Sequence, residues 1–255
     1  MTGRGAAGVN PLVWRVARLA AVRDETATAR TLIFDVPDWP GQLPGQHVDV
    51  RLTAEDGYST QRSYSLAAPD RVELTVQCVS DGEVSPYLTE VLSVGDPVEL
   101  RGPVGGWFVW RPTRKAPVLL VAGGSGIVPL MAMVRARRLA GAGTLFRLVY
   151  SVRTPADRFY TDELRDPEPG LDVSYVYTRA APDGWPRPPG RLTPADLNTG
   201  LGATDLTGKD MGAGRDTDCF VCGPTGFVEA AADILLALGH DPRRIKTERF
   251  GPTGG

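Results

Sequence analysis

Cysteine is scarce in this chain. Cys78, Cys219 and Cys222 are the only three in 255 residues. Three thiols cannot build a disulfide framework, so nothing points to secretion. No apolar run approaches the roughly 20 residues a membrane span needs. Charge is also lacking: the formal net value of −2 gives no field to attract nucleic acid or an anionic lipid surface. The first ten residues are rich in Gly and Ala, hold one Arg and have no hydrophobic core segment, so they read as a flexible leader and not a signal peptide. Together these absences point to a cytoplasmic protein. What is plentiful is punctuation. The 30 Gly and 22 Pro imply many turns, and the periodic segments between them argue against wholesale disorder.

Residues 11–112 read as an antiparallel six-stranded β-barrel. Leu32, Phe34 and Val36 alternate with other residues, as do Val48, Val50 and Leu52, and Val72, Leu74, Val76 and Cys78. Period-two alternation means one buried face and one polar face. Clusters of Gly and Pro separate the runs at Pro37–Pro44, Pro69-Asp70, Gly95-Asp96-Pro97 and Gly102–Gly106.

The grammar changes after Arg111-Pro112-Thr113-Arg114-Lys115, a natural linker. Residues 113–255 alternate strands with helices, as a doubly wound parallel sheet requires. Pro117–Ala122 is a continuous apolar run, suited to a strand covered on both faces. Ile127–Ala140 reads as a helix with Pro129 in its first turn and Arg135, Arg137 and Arg138 near its end, where positive charge suits the helix dipole. A strand at Leu145–Tyr150, a short helix at Asp157–Arg165 and a strand at Leu171–Tyr177 follow. Ala180–Asp218 is mostly loop, apart from a short helix capped by Thr193. Phe220–Cys222 reads as a strand and Thr225–Leu238 as an amphipathic helix whose apolar stripe includes Phe227, Val228, Ala231 and Leu235. Arg244–Phe250 closes the chain as a strand.

Four short motifs carry chemistry. Gly123-Gly124-Ser125-Gly126 sits between a strand and a helix, where glycines let the backbone approach a ligand and the helix start offers free N–H groups to a pyrophosphate. A plain strand-to-helix turn explains it as well, and the Gly-x-Gly-x-x-Gly fingerprint is not met. A serine nucleophile elbow is not met either, because Ile127 stands two positions after Ser125 where glycine is required. With only His47 and His240 in the chain, a Ser–His–Asp site remains a minor rival. Arg62-Ser63-Tyr64-Ser65 puts a guanidinium and a phenol on one face of a strand, able to pair with a phosphate and to lie against a planar ring. Gly82-Glu83-Val84-Ser85-Pro86 reads as a loop leading into a helix capped by Ser85, with open N–H groups suited to phosphate. Cys219-Phe220-Val221-Cys222 has the spacing of a zinc or dithiol site, but on a strand the two thiols point to opposite faces and no second ligand pair exists. Metal binding is not expected.

In order and spacing, Arg-x-Tyr-Ser, Gly-x-x-Ser, Gly-Gly-x-Gly-Ile-x-Pro-Leu and Cys-Gly-Pro resemble the ferredoxin–NADP reductase family, from about Val13 to Phe250. The resemblance implies a barrel that binds FAD and an α/β domain that binds NADPH or NADH. It implies that Arg62 neutralises the flavin pyrophosphate, that Ser63, Tyr64 and Ser65 contact the cofactor, and that Gly82, Val84 and Ser85 hold its phosphates. Gly123, Gly124, Gly126 and Ile127 would form the nicotinamide-nucleotide turn, with Gly223 and Pro224 beside them. Cys222 would sit by the nicotinamide, and Glu248 and Phe250 near the flavin; Ser65, Cys222 and Glu248 are the candidate catalytic residues.

An acid that would hold the ribose 2′-hydroxyl of NADH is missing near the end of the second parallel strand. Ser151 and Arg153 stand there instead, which favours NADPH. FAD is favoured over FMN by the Gly-x-x-Ser motif, although no aromatic residue presents itself for the adenine. The Cys-x4-Cys-x2-Cys iron–sulfur spacing is absent, so the expected electron acceptor is a separate molecule: ferredoxin, flavodoxin, an oxygenase component or a haem monooxygenase. The alternative is a non-enzymatic flavin- or nucleotide-binding regulatory subunit.

Overall fold

A computed structural model describes residues 12–198 and 216–251; the expected leader at 1–10 lies outside them. The N-terminal half is one antiparallel sheet of β1 (Trp14–Thr26), β2 (Ala29–Asp35), β3 (His47–Thr53), β4 (Ser59–Ser65), β5 (Val72–Gln77) and β6 (Pro97–Val104), in the order β4-β3-β6-β1-β2-β5. A single bridge between Leu66 and Leu74 joins the two edges and curls the sheet into a barrel. Its interior holds residues read from alternation, Leu32, Phe34, Val48, Val50, Leu74 and Val76, buried together with Leu100. The short helix α1 (Val84–Pro86) runs on as a π-helical turn over Tyr87–Val91, and Val84 and Leu88 pack into the same core.

The C-terminal half is a parallel sheet of β7 (Val118–Gly123), β8 (Phe146–Val152), β9 (Leu171–Tyr177), β10 (Asp218–Pro224) and β11 (Ile245–Phe250), in the order β11-β10-β7-β8-β9. Helix α2 (Ile127–Leu139) covers one face; α3 (Pro194–Asn198) and α4 (Thr225–Ala237) cover the other. The strand order reverses between β7 and β10. In open α/β sheets ligands bind outside the carboxyl ends of the strands at such a reversal. Those two ends carry Gly123 and Cys222-Gly223-Pro224.

The outward face of β2 and β5 departs from the sequence reading. Thr31, Glu73 and Thr75 alternate as a solvent face should, yet all three are buried. The α/β half covers them. Arg135 of α2 donates to Glu73 (2.7 Å) and to the Ala67 carbonyl (2.9 Å). The Tyr160 hydroxyl donates to Thr75 (2.6 Å), and the Tyr160 N–H donates to Glu25 (2.8 Å). The α2 arginines are thus committed to particular partners beyond the helix dipole: Arg137 and Arg138 each reach Glu168, and Arg138 also reaches Glu163. The helix expected at Asp157–Arg165 is a 3-10 turn at Pro155–Asp157 followed by irregular turns. Tyr160 has φ 55°, outside the helical region, and its bonds to the barrel hold it there. Phe108 and Trp110, on the barrel side of the expected boundary, bury their rings against Phe220 and Phe146 of the parallel sheet.

Candidate functional site

The carboxyl end of β4 meets the carboxyl end of β11. The Ser65 hydroxyl donates to Glu248 Oε1 at 3.2 Å. Glu248 lies in register with Cys222 on β10, and Cys222 is 1% exposed. Burial pushes the Glu248 carboxyl up to about 7, against the opposing effect of the Ser65 bond. The Cys222 thiol is raised well above its ordinary value, by burial first and by the Glu248 charge second. The three residues proposed as catalytic therefore come from three strands of both halves into one place. The arrangement holds a neutral thiol beside a carboxyl able to keep or lose a proton near neutral pH.

On β4, Arg62 and Tyr64 lie opposite Val50 and Val48, so they share the sheet face on which the barrel core is built. Tyr64 packs on the core, and burial raises its phenol to about 12. Arg62 is exposed; its guanidinium donates to the Gln61 carbonyl and has no carboxylate partner among the described residues. An unpaired cation beside a half-buried ring on an uncovered edge strand fits an anionic ligand with a planar group. Two cavities, of about 500 and about 570 Å³, open elsewhere on the barrel, beside Arg15 and Gln42 and beside Thr28 and Glu90.

Several expected contacts fall otherwise. Ser63 points to the outer face, where its hydroxyl donates to Asp49 at 2.6 Å, so it does not join Arg62 and Tyr64. Ser85 is not the helix cap: Glu83 holds that position, and the Ser85 hydroxyl accepts from the Val79 N–H. The Gly82 N–H is spent on the Val79 carbonyl, and the Val84 side chain is in the barrel core. The Val84 and Ser85 N–H groups stand at the start of α1, where a helix offers its first N–H groups no acceptor of its own.

The glycine turn is mostly a packing device. A Cβ on Gly126 would stand 2.1 Å from the Cys222 carbonyl oxygen. Those on Gly123 and Gly223 would strike the Phe227 ring at 2.6 and 2.7 Å. Only Gly124, at φ +55°, faces open space. The Ile127 side chain is buried in the core and its N–H closes the preceding turn, so Ile127 offers a ligand nothing directly. What remains for a ligand is the short 3-10 start at Gly124–Gly126, whose first N–H groups have no acceptor within the helix. Phe227, which the sequence reading set in the apolar stripe of α4, locks the turn to Gly223; a ring three residues after Pro224 was the available signal.

Around this centre, Pro224 and Phe250 pair across β10 and β11, and Phe250 is 37% exposed. Ser151, next to last in β8, lies opposite Gly123 and is buried, while Arg153 just past the strand end is exposed. Two neighbours lie outside the set of site residues expected from the sequence. His47 pairs with Ser65 across β3 and β4. Lys246, two positions before Glu248, donates to the Val109 carbonyl and lies over the Trp107 and Phe220 rings.

Comparison with known proteins agrees with this geometry. Residues 17–109 match the family model of an oxidoreductase FAD-binding domain, and residues 120–233 that of an oxidoreductase NAD-binding domain. The chain is 31% identical over 250 residues to the ferredoxin reductase component of 3-ketosteroid-9-alpha-monooxygenase of Mycobacterium tuberculosis H37Rv, covering 91% of this chain and 64% of that protein. It is 30% identical over 213 residues to the reductase component of propane 2-monooxygenase of Rhodococcus jostii RHA1, covering 81% of this chain and 55% of that protein. The chain thus spans less than two thirds of the length of these relatives. Among solved structures, the flavohaem-like FAD/NAD-binding domain of nitric oxide dioxygenase from Vibrio cholerae has a TM-score of 0.79 at 25% identity, covering 93% of this chain and 99% of that one.

Proposed function

The chain belongs to the ferredoxin–NADP reductase family, and we propose that it takes hydride from NAD(P)H onto FAD and passes electrons to a separate iron–sulfur or haem protein. The observation that carries this reading is the meeting of Ser65, Cys222 and Glu248 at the strand-order reversal, beside the unpaired Arg62. The reductase components of monooxygenase systems among the relatives support an oxygenase or ferredoxin as the acceptor.

Bound FAD would supply the chemistry that this chain lacks, accepting two electrons together and releasing them singly. The residues do the rest. Arg62 screens the diphosphate charge, and Tyr64 gives the ring system a flat apolar wall. The turn at Gly124–Gly126 seats the nucleotide phosphates at the start of α2. Cys222, uncharged, lines the nicotinamide side without adding a competing anion. Glu248 holds a proton on its carboxyl, oriented by the Ser65 hydroxyl. Arg153 offers a cation to a 2′-phosphate, which supports NADPH over NADH. A cytoplasmic location is part of the same reading, supported by three free thiols.

Purified protein supplied with NADPH and ferricyanide tests the proposal. Turnover that saturates with NADPH is expected. Flavin binding without any oxidation of NADPH or NADH would replace it with the binding-only regulatory subunit.

A further inference from the structure

The open adenine question has an answer at the β3–β4 hairpin. Tyr58 is 57% exposed, among the most exposed large rings of the chain. Its backbone is nonetheless firmly held: the Ala54 N–H donates to the Tyr58 carbonyl at 2.8 Å, and the Tyr58 N–H donates to Asp56 at 2.9 Å. The first bond extends the β3–β4 ladder by one more pair. Tyr58 therefore shares its face with Thr60, Arg62 and Tyr64. Its hydroxyl donates to both oxygens of Glu83, at 3.2 and 3.3 Å, which ties the hairpin to the residue that caps α1. The ring is anchored at its polar tip while remaining largely open to solvent.

One face of one edge strand thus presents ring, cation and ring in that order. At about 3.4 Å per residue, the row from Tyr58 to Tyr64 runs about 20 Å, with Arg62 between. A mononucleotide would use only the Arg62–Tyr64 end. A dinucleotide with a base, a diphosphate and a second ring system would use all three.

Resting on the proposed flavin reading, we infer that Tyr58 is the stacking platform for the adenine of FAD and is the residue by which this chain selects FAD over FMN. Aromatic side chains give base stacking that tolerates any base and is lost on truncation to alanine. Glu83 adds a carboxylate acceptor beside the platform for a ribose hydroxyl or the exocyclic amine.

The test is titration of the flavin-free protein with FAD and with FMN, read by flavin fluorescence, in wild type, Tyr58→Ala and Tyr58→Phe. Wild type binds FAD more tightly than FMN. Tyr58→Ala weakens FAD binding by about tenfold or more and leaves FMN binding unchanged, while Tyr58→Phe keeps most of the FAD affinity. Equal weakening of both flavins in Tyr58→Ala, or no change in either, overturns the inference while leaving the flavin reading intact. A wild type that binds FMN as tightly as FAD also overturns it. A wild type that binds neither flavin overturns the flavin reading and this inference with it. The ring is exposed, so the alanine variant should unfold at the wild-type temperature, and that measurement accompanies the titrations.

Discussion

The Ser65 hydroxyl and the Glu248 carboxylate, 183 positions apart in sequence, are hydrogen-bonded at 3.2 Å across the line where the barrel meets the parallel sheet. The bond orients the one carboxyl at the site whose proton is balanced near neutral pH.

That balance affects stability. The Glu248 pKa is raised from 4.5 in the unfolded chain to about 7, chiefly by burial. Between those values the folded state holds the proton more tightly than the unfolded state, so stability falls as pH rises from about 4.5 to about 7. At about 1.4 kcal/mol per pKa unit the loss is at most about 3.5 kcal/mol. Glu248→Gln should remove this contribution, flattening the dependence of the urea midpoint between pH 5 and pH 8. A variant with the wild-type slope would show that Glu248 is not the titrating group.

Cys222 is proposed to line the nicotinamide side. Cys222→Ala should slow anaerobic reduction of the flavin by about tenfold while the Kd for FAD stays at the wild-type value. Stopped-flow absorbance and flavin titration measure the two. An unchanged reduction rate would remove Cys222 from the site.

Gly126 should tolerate no side chain, because its Cβ would stand 2.1 Å from the Cys222 carbonyl oxygen. Gly126→Ala must shift either the start of α2 or the end of β10. The barrel is untouched, so flavin content should remain at wild type while KM for NAD(P)H rises by about tenfold to a hundredfold. Loss of flavin with unchanged KM would contradict the assignment of the turn to the nucleotide.

The two halves are locked through Glu73, whose side chain is fully buried and faces Arg135 at 2.7 Å. Glu73→Ala removes one of two carboxylates on Arg135, which keeps its pair with Glu163 at 2.7 Å, so the loss should be about 1.5–3 kcal/mol. Tyr160→Phe removes only the hydroxyl bond to Thr75 and should cost about 1 kcal/mol. Urea denaturation gives both values. Equal, small losses would mean that the interface is held by its apolar contacts alone.

Arg153 carries the proposed preference for NADPH. Arg153→Ala should lower kcat/KM for NADPH by about tenfold, in line with losing a hydrogen-bonded ion pair, and leave NADH unchanged. A wild type that already prefers NADH would overturn the preference.

These features were unequally visible in the sequence. Alternation at Val48, Val50, Leu74 and Val76 marks the barrel interior because period two reports a buried face directly. It is silent about Glu73 and Thr75, whose polar face is buried only once a second layer docks on it. Helical composition at Asp157–Arg165 lost to the bonds that hold Tyr160 at φ 55°. The glycines at 123 and 126 were legible as close approaches, but the approaching atoms belong to Phe227 and Cys222, and a local motif does not say which neighbour arrives. Ser65, Cys222 and Glu248 were named individually from their motifs; their meeting follows from strand order, which no single motif encodes.

The central claim is transfer of hydride from NAD(P)H to a flavin held beside Arg62 and Tyr64. The direct measurement is the absorption spectrum of the purified, FAD-reconstituted protein before and after anaerobic NADPH, with NADH in parallel. The account predicts a yellow protein whose visible flavin bands bleach within seconds. A protein that takes up no FAD, or one whose bound flavin keeps its full colour under both nucleotides, would contradict it.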